Sequence, residues 1–356
     1  MLLVTAEITA LFLHLYKKNS ELSSLFLIVC LVFSVSACSP PKPLHEHEFS
    51  GQIMGTYFRV KMLGDKKENL QALDADIEYA LGLVNQSMSN YIESSEINQF
   101  NRMSAHQRMA LSPDFAQVIG ESIELAKLSG GAFDVTISPL INAWGFGEQG
   151  SIERQPSPTQ LKQIAQRIGY QHLNFQQGTL SKLVDGLELN VSAIAKGYAV
   201  DKVSELLASA GIDDFMVDIG GEIRANGVNL QGKGWQIAIE QPSLLGGVQQ
   251  LLSLKDQAIA TSGDYRNFLI VDGEQFSHTI NPVSLAPSLH KLASVSVIAE
   301  RCSRADALAT AIMVMGEEQG FAFAQKHQLA AYMLVRSRQS DEYSILMTEE
   351  FRRILQ

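Results

Sequence analysis

Five stretches of the chain place small or polar residues where a fold would favour apolar ones, and each has a chemical use. In Cys302-Ser303-Arg304-Ala305-Asp306-Ala307-Leu308-Ala309-Thr310, Asp306 and Thr310 stand four residues apart on one helix face. Both carry hard oxygens, suited to Mg2+ or Ca2+ rather than zinc. The same stretch reads as a plain helix start, because Ser303-x-x-Asp306 has capping-box spacing with Asp in place of Glu. Cap and ligand would then compete for one carboxylate. Phe276-Ser277-His278-Thr279-Ile280-Asn281-Pro282 brings His278 into a Pro turn. An imidazole titrates near neutrality and fits a general base, although a structural histidine is the commoner case. Ser192-Ala193-Ile194-Ala195-Lys196-Gly197-Tyr198 opens a helix, whose free N–H groups suit a phosphate, with Lys196 as a point charge one turn in. A solvated lysine is the plain alternative. Gly130-Gly131-Ala132-Phe133-Asp134 is an ordinary helix stop followed by a carboxylate able to accept from a ligand amide or hydroxyl. Met54-Gly55-Thr56 lies in a strand-like run, where Gly marks a bulge or the close approach of a ligand.

The elements that must position these groups follow from periodicity and breakers. GQIMGTYFRVKML (51–63) reads as the opening strand. Leu70, Leu73, Ile77, Leu81, Val84 and Met88 have helical spacing, and a polar loop spans 87–101. Ser112-Pro113 starts a helix that stops at Gly130-Gly131; a shorter one runs from Pro158 to Ile168 and closes at Gly169. Ser192 caps a helix that runs to Gly211. The second half is rich in strands, at 215–221, 235–240 and 294–300, with a hairpin over 268–280 turning at Asp272-Gly273. Ser303 to Gly316 is a helix, and 330–336 with 342–348 is a closing strand pair. Hairpins with interspersed helices predict an α+β fold with antiparallel sheets and packed helices, in one domain over 51–356.

Composition narrows the function. The chain of 356 residues is 46% hydrophobic and 19% charged, which excludes extended disorder. Its net charge of -10 disfavours nucleic acid as a partner; an anionic small ligand would need local donors or a metal. There is no P-loop, GxSxG, HExxH or CxxC motif. Lys17 and Lys18 precede an apolar run, Leu25 to Val35, which is too short to span a bilayer and suits a secretory signal. The run ends in Val35-Ser36-Ala37-Cys38, like a bacterial lipobox. Residues 1–37 are therefore expected to be a lipoprotein signal, Cys38 the lipidated residue, and 38–50 a flexible tether in which His45 and His47 have no role.

Taken in order, these stretches resemble the FAD:protein FMN transferase family (ApbE-like proteins, long called thiamine-biosynthesis lipoproteins). The matching segments are MGTYF (54–58), MSNYIESSEINQFN (88–101), GGAFDVTISPL (130–140), SAIAKGYAVD (192–201), DFMVDIGGEIRANG (214–227), ATSGDYRNF (260–268), FSHTINP (276–282) and SRADALATA (303–311). The resemblance implies a T-fold-related α+β architecture. It implies transfer of FMN from FAD to a threonine hydroxyl of a target protein, with release of AMP and with Mg2+ as cofactor. By the same resemblance Met54, Tyr91, Ala132, Phe133, Asp134, Asn190, Lys196 and Ile280 would contact FAD. The Ala193 carbonyl, Asp306 and Thr310 would hold the metal, and His278 would act as base. Asn190 and Asn281 stand where Asp is usual, keeping an acceptor but losing a charge. Implied partners are extracytoplasmic flavoproteins, such as subunits of sodium-pumping NADH:quinone reductase or RNF-type complexes. Implied location is the periplasmic side of a bacterial membrane, through a lipid anchor. An FAD pyrophosphatase giving FMN and AMP, and a non-catalytic flavin-binding lipoprotein, are the alternatives.

Overall fold

Period-two burial is cleanest at the start of the fold, where β1 (His45–Ile53) alternates half-buried and exposed residues along its whole length. The structure, a computed structural model, describes residues 44–356 apart from 65–69, 148–149, 151, 153, 243–246, 265–267, 272–273 and 338–341. The expected signal, Cys38, the first part of the tether and the Asp272-Gly273 turn lie outside the described residues.

Among the described residues sixteen further strands and eight α-helices follow. In chain order they are β2 (Thr56–Gly64), α1 (Leu70–Met88), α2 (Glu96–Asn101), β3 (Arg108–Ala110), α3 (Pro113–Leu128), α4 (Ser138–Ala143) and α5 (Pro158–Ala165). Then come β4 (Leu173–Gln176), β5 (Thr179–Lys182), α6 (Ser192–Ser209), β6 (Phe215–Ile219), β7 (Glu222–Asn226), β8 (Trp235–Glu240) and β9 (Val248–Leu254). The last run is β10 (Gln257–Gly263), β11 (Phe268–Val271), β12 (Glu274–Ser277), β13 (Ile280–Asn281), β14 (Ala286–Pro287), β15 (Leu292–Ala299), α7 (Cys302–Lys326), β16 (Ala330–Arg336), β17 (Tyr343–Met347) and α8 (Glu349–Leu355).

Eight strands form one sheet in the order β1-β2-β6-β7-β10-β15-β16-β17, with every neighbouring pair antiparallel. Its central strands are apolar on both faces, so alternate residues enter different cores. Val217, Val297 and Met333 pack with α1, α6 and α7, while Met216, Ile298 and Tyr332 pack with β8, β9 and Phe351 of α8. The sheet is thus the middle layer between helices and a hairpin. A third cluster, Leu140, Trp144, Ile164, Ile168, Phe276 and Ile280, closes around α4, α5 and β13. The expected antiparallel α+β class is the observed one.

Several expectations are corrected. Residues 45–50, expected as tether, pair in register with β2 and belong to the folded unit, which begins at His45. Met54-Gly55 is not a bulge within a strand: it is the two-residue turn between β1 and β2, with φ of 52° and 74°. Ser192 does not cap α6; it is the first helical residue, after Val191. Its N–H donates to Asn190 Oδ1 at 2.9 Å, so Asn190 closes the turn that enters the helix. Gly316 does not end α7 but kinks it, with φ 80° and ψ -176°. The helix resumes after the break, and the Met313 carbonyl just before it accepts from His290 Nε2 at 2.6 Å. Nothing in the sequence reading anticipated α8 or the small sheet β3-β5-β4.

Candidate active site

A group of charges forms where α6, α7 and β7 meet. Lys196 Nζ lies 2.5 Å from Glu222 Oε1, on the first residue of β7. Asp306, one turn into α7 and buried, accepts from the Gly197 N–H at 3.1 Å. In an α-helix that amide is also the partner of the Ala193 carbonyl, so Asp306 competes for it and leaves the carbonyl short of a donor. Thr310, one turn after Asp306, shares a hydrogen bond with Ser262 at the end of β10, 3.2 Å between the hydroxyl oxygens. Lys196, Ala193, Asp306 and Thr310 are therefore brought together as expected, and Glu222 joins them.

Glu222 was missed by sequence reasoning. Its signal was an acidic residue immediately after Gly220-Gly221, at the first position of a strand. The turn before it is fixed by Asp218, whose Oδ1 accepts from the Gly221 N–H at 3.0 Å and whose Oδ2 accepts from Tyr57 Oη at 3.3 Å. Gly220 N–H donates to the Tyr57 carbonyl at 3.1 Å, which brings the Met54 hairpin beside this turn.

Burial raises the pKa of Glu222, with Lys196 pulling against it and Asp306 adding to it. Burial raises Asp306 as well. Lys196 is pulled down by burial, but the Asp306 and Glu222 carboxylates outweigh this and hold it above its ordinary value, so it stays an ammonium. Two buried carboxylates face one cation, and Glu222 Oε2 is buried with no hydrogen-bond partner. A set short of positive charge, with an orphaned oxygen, a hydroxyl and an underused carbonyl, fits a divalent cation with oxygen ligands. Among the described residues no group of three or more His, Cys, Asp or Glu side chains is arranged for a metal. The set here is of a different kind, with Asp306 as its carboxylate, Thr310 as its hydroxyl and Ala193 as its carbonyl.

A second group is built by loop-to-loop bonds. Asn90 and Asn101 both donate from Nδ2 to the Leu189 carbonyl, at 2.9 and 3.0 Å, and Leu189 N–H returns a bond of 2.7 Å to Asn101 Oδ1. Asn190 N–H donates to the Val135 carbonyl at 2.7 Å. These bonds join the Tyr91 loop, the Ala132-Phe133-Asp134 segment and Asn190, and Asn190 leads into α6. Lys182, buried, secures them from below by donating to the Asn101 and Leu187 carbonyls, each at 2.8 Å. Tyr91 is 79% exposed, an aromatic ring with a free face, whereas Phe133 is buried in the main core. Asp134 spends both oxygens internally: Oδ1 accepts from the Thr136 amide and hydroxyl, Oδ2 from the Tyr170 amide. Burial still raises its pKa against those bonds.

His278 is exposed, between β12 and β13, while Ile280 is buried against the Trp144 cluster. Ser288 ties this segment to α7, its N–H donating to the Thr279 carbonyl at 2.8 Å and its hydroxyl to the Val314 carbonyl at 3.3 Å. Asn281 Oδ1 accepts from the Val283 and Ser284 amides, so Asn281, like Asn190, serves as a local turn acceptor, a task that needs an oxygen but no charge. Cys302 is a buried free thiol whose pKa burial raises, a packing residue.

The ApbE family's sequence profile matches residues 54–333. The FAD:protein FMN transferase of Vibrio cholerae is 40% identical over 298 residues, spanning 83% of this chain and 89% of that protein. The FAD:protein FMN transferase of Haemophilus influenzae is 38% identical over 326 residues, spanning 89% of this chain and 94% of that protein. Among solved structures, the flavinyl transferase ApbE of Pseudomonas stutzeri in its apo form aligns with a TM-score of 0.82 at 34% identity, over 89% of this chain and 99% of that one. With the profile covering most of the folded unit and the solved structure reproducing its architecture, this chain belongs to the ApbE family.

Proposed function

We infer that this chain transfers FMN from FAD to a threonine hydroxyl of a partner flavoprotein, releasing AMP, with Mg2+ as cofactor. The observation that carries the reading is the pair of buried carboxylates, Glu222 and Asp306, around Lys196 at the α6–α7 crossing, with its surplus negative charge and unpartnered Glu222 Oε2. In the reaction the threonine oxygen attacks the FMN phosphorus, the bond to the bridging oxygen of the diphosphate breaks, and AMP leaves with that oxygen. His278, exposed on the segment between β12 and β13, would accept the threonine proton. Lys196 and the amide end of α6 supply fixed positive potential to the diphosphate. Asp306, Thr310 and the Ala193 carbonyl would hold Mg2+, which when bound offsets the charge that gathers on the diphosphate oxygens. Tyr91 offers its exposed ring for stacking, and Met54, Ala132, Phe133, Asp134, Asn190 and Ile280 complete the FAD contacts, Phe133 through its backbone. We also propose that Cys38 is lipidated and holds the enzyme at the outer face of a bacterial inner membrane or the inner face of an outer one, where quinone-reductase or RNF-type subunits would be its targets.

The purified chain, incubated with FAD, Mg2+ and a target domain carrying an acceptor threonine, is expected to give a flavin-fluorescent protein band and stoichiometric AMP. FMN and AMP without a labelled band would make it a hydrolase, and neither product would make it a flavin binder. Asp306→Ala is expected to abolish labelling. His278→Ala is expected to slow it roughly 100-fold or more while FAD affinity stays near wild type. A large loss of FAD affinity in His278→Ala would assign that residue to positioning instead.

A further inference from the structure

The two helices that carry the proposed metal ligands are fixed to one another by a residue to which the sequence assigned no role. α7 begins without a cap of its own: Arg301 occupies the cap position at φ -109° and ψ 140° and makes no side-chain cap bond. Ser303, placed for a capping box, gives its hydroxyl to Glu121 Oε2 at 2.9 Å instead. The first amides of the helix turn to Asp201 on α6. Cys302 N–H donates to Asp201 Oδ1 at 2.9 Å and Ser303 N–H to Asp201 Oδ2 at 3.0 Å. Asp201 is 0% exposed, and its charge is balanced by Arg224 of β7, 2.8 Å from Oδ1, and by Arg301, whose Nε is 3.6 Å from Oδ2.

The crossing is tight. A Cβ added at Gly197 would meet Ser303 Cα at 2.8 Å, with the Cys302 carbonyl also in its way. Only glycine allows the backbone of α6 to lie against the first turn of α7, and it is this contact that lets the Gly197 N–H reach Asp306. A carboxylate that receives both leading amides of α7 fixes that turn in place and in rotation. Mg2+ demands near-ideal octahedral geometry at short bond lengths, so a shift of a few tenths of an ångström between α6 and α7 is felt by any ion held between them.

We propose that Asp201 is a positioning residue for the cation site. By capping α7 from α6 it sets the spacing between the Ala193 carbonyl and the Asp306 and Thr310 side chains. It also takes over the capping task that would otherwise fall to Asp306, leaving that carboxylate available as a ligand. This inference rests on the cation-binding reading of the Asp306 cluster.

The test is Mn2+ binding to the full chain, followed by the loss of the free-ion electron paramagnetic resonance signal, with ADP present to supply a diphosphate without a flavin. A protein-free ADP blank is subtracted, and only variants that melt cooperatively are scored. Asp201→Asn keeps the side-chain volume and one acceptor. It is expected to weaken Mn2+ binding about 10- to 100-fold, the range for residues that orient metal ligands. Arg224→Met keeps both cap bonds but removes a partner of Asp201, and is expected to weaken binding in the same direction by less. Ser157→Ala removes the capping box of α5 and is expected to bind Mn2+ as wild type does. Wild-type affinity in Asp201→Asn, with binding lost in Asp306→Ala, would overturn the positioning role and leave the cation site standing. Retained binding in Asp306→Ala would overturn the cation site and the proposal with it. Should Asp201→Asn not fold, Asp201→Glu decides: it keeps the charge but displaces both acceptor oxygens from the Cys302 and Ser303 amides, and unchanged affinity there would overturn the proposal.

Discussion

Glu222 is a buried carboxylate with one oxygen on Lys196 and the other on nothing. Removing it takes away the charge-assisted bond from Lys196, which is partly exposed and still faces Asp306, at a cost on the order of 2 kcal/mol. Glu222→Ala is therefore expected to lower unfolding stability by that order, measured by urea denaturation without added metal, and to reduce the transfer rate because Lys196 loses its anchor. Unchanged stability would mean that Asp306 alone satisfies Lys196. At this scale, legibility depended on whether a residue's partners are near in sequence. Asp306 and Thr310 share a helix face and could be read together. Asp201 and Glu222 could not, since Asp201 meets Cys302 across 101 positions and Lys196 meets Glu222 only when β7 is laid beside α6. Asn190 and Asn281 looked like weakened ligands because their missing charge was visible and their backbone partners were not.

Among the elements, α7 shows how a breaker is misread. A glycine after an apolar helical run predicts a stop, and the backbone at Gly316 does leave helical geometry. The chain re-enters the helix all the same, and the Met313 carbonyl at the kink is bonded by His290, a partner 23 residues away. Gly316→Ala would require a side chain at φ 80° and bring its Cβ to 2.9 Å from the His290 ring. It is expected to cost on the order of 2 kcal/mol, read from the shift in the urea midpoint at unchanged slope. An alanine variant as stable as wild type would show that the kink is not required by packing. Elements marked by sharp local signals were the legible ones: Ser112-Pro113 and Gly130-Gly131 bracket α3 as expected. The strands β1 and β2 were fused in the reading because Met54, an uncommon residue at positive φ, hid a turn that Asn-Gly would have announced.

For the whole molecule, the antiparallel α+β class followed from the alternation of hairpins and helices, while the sheet order did not, because β10 and β15 pair across the segment that carries His278. The chief misplacement was the start of the fold. A protein shortened to begin at residue 51 would lose most of β1 and leave β2 as a bare edge. It is expected to melt several degrees lower than one beginning at residue 44 and to self-associate, as size-exclusion chromatography would show; equal melting and a monomeric profile would count against β1 as a structural strand. The borrowed cap of α7 also bears on the order of events in folding. Its first turn is completed only when a loop of about a hundred residues has closed and α6 has docked. Helix content can recover before that moment, but the geometry of the proposed cation site cannot. On dilution from urea, Mn2+ uptake is therefore expected to return with the near-ultraviolet dichroism of packed aromatic side chains and to lag the far-ultraviolet signal, so a half-assembled chain would never present a working centre to a nucleotide.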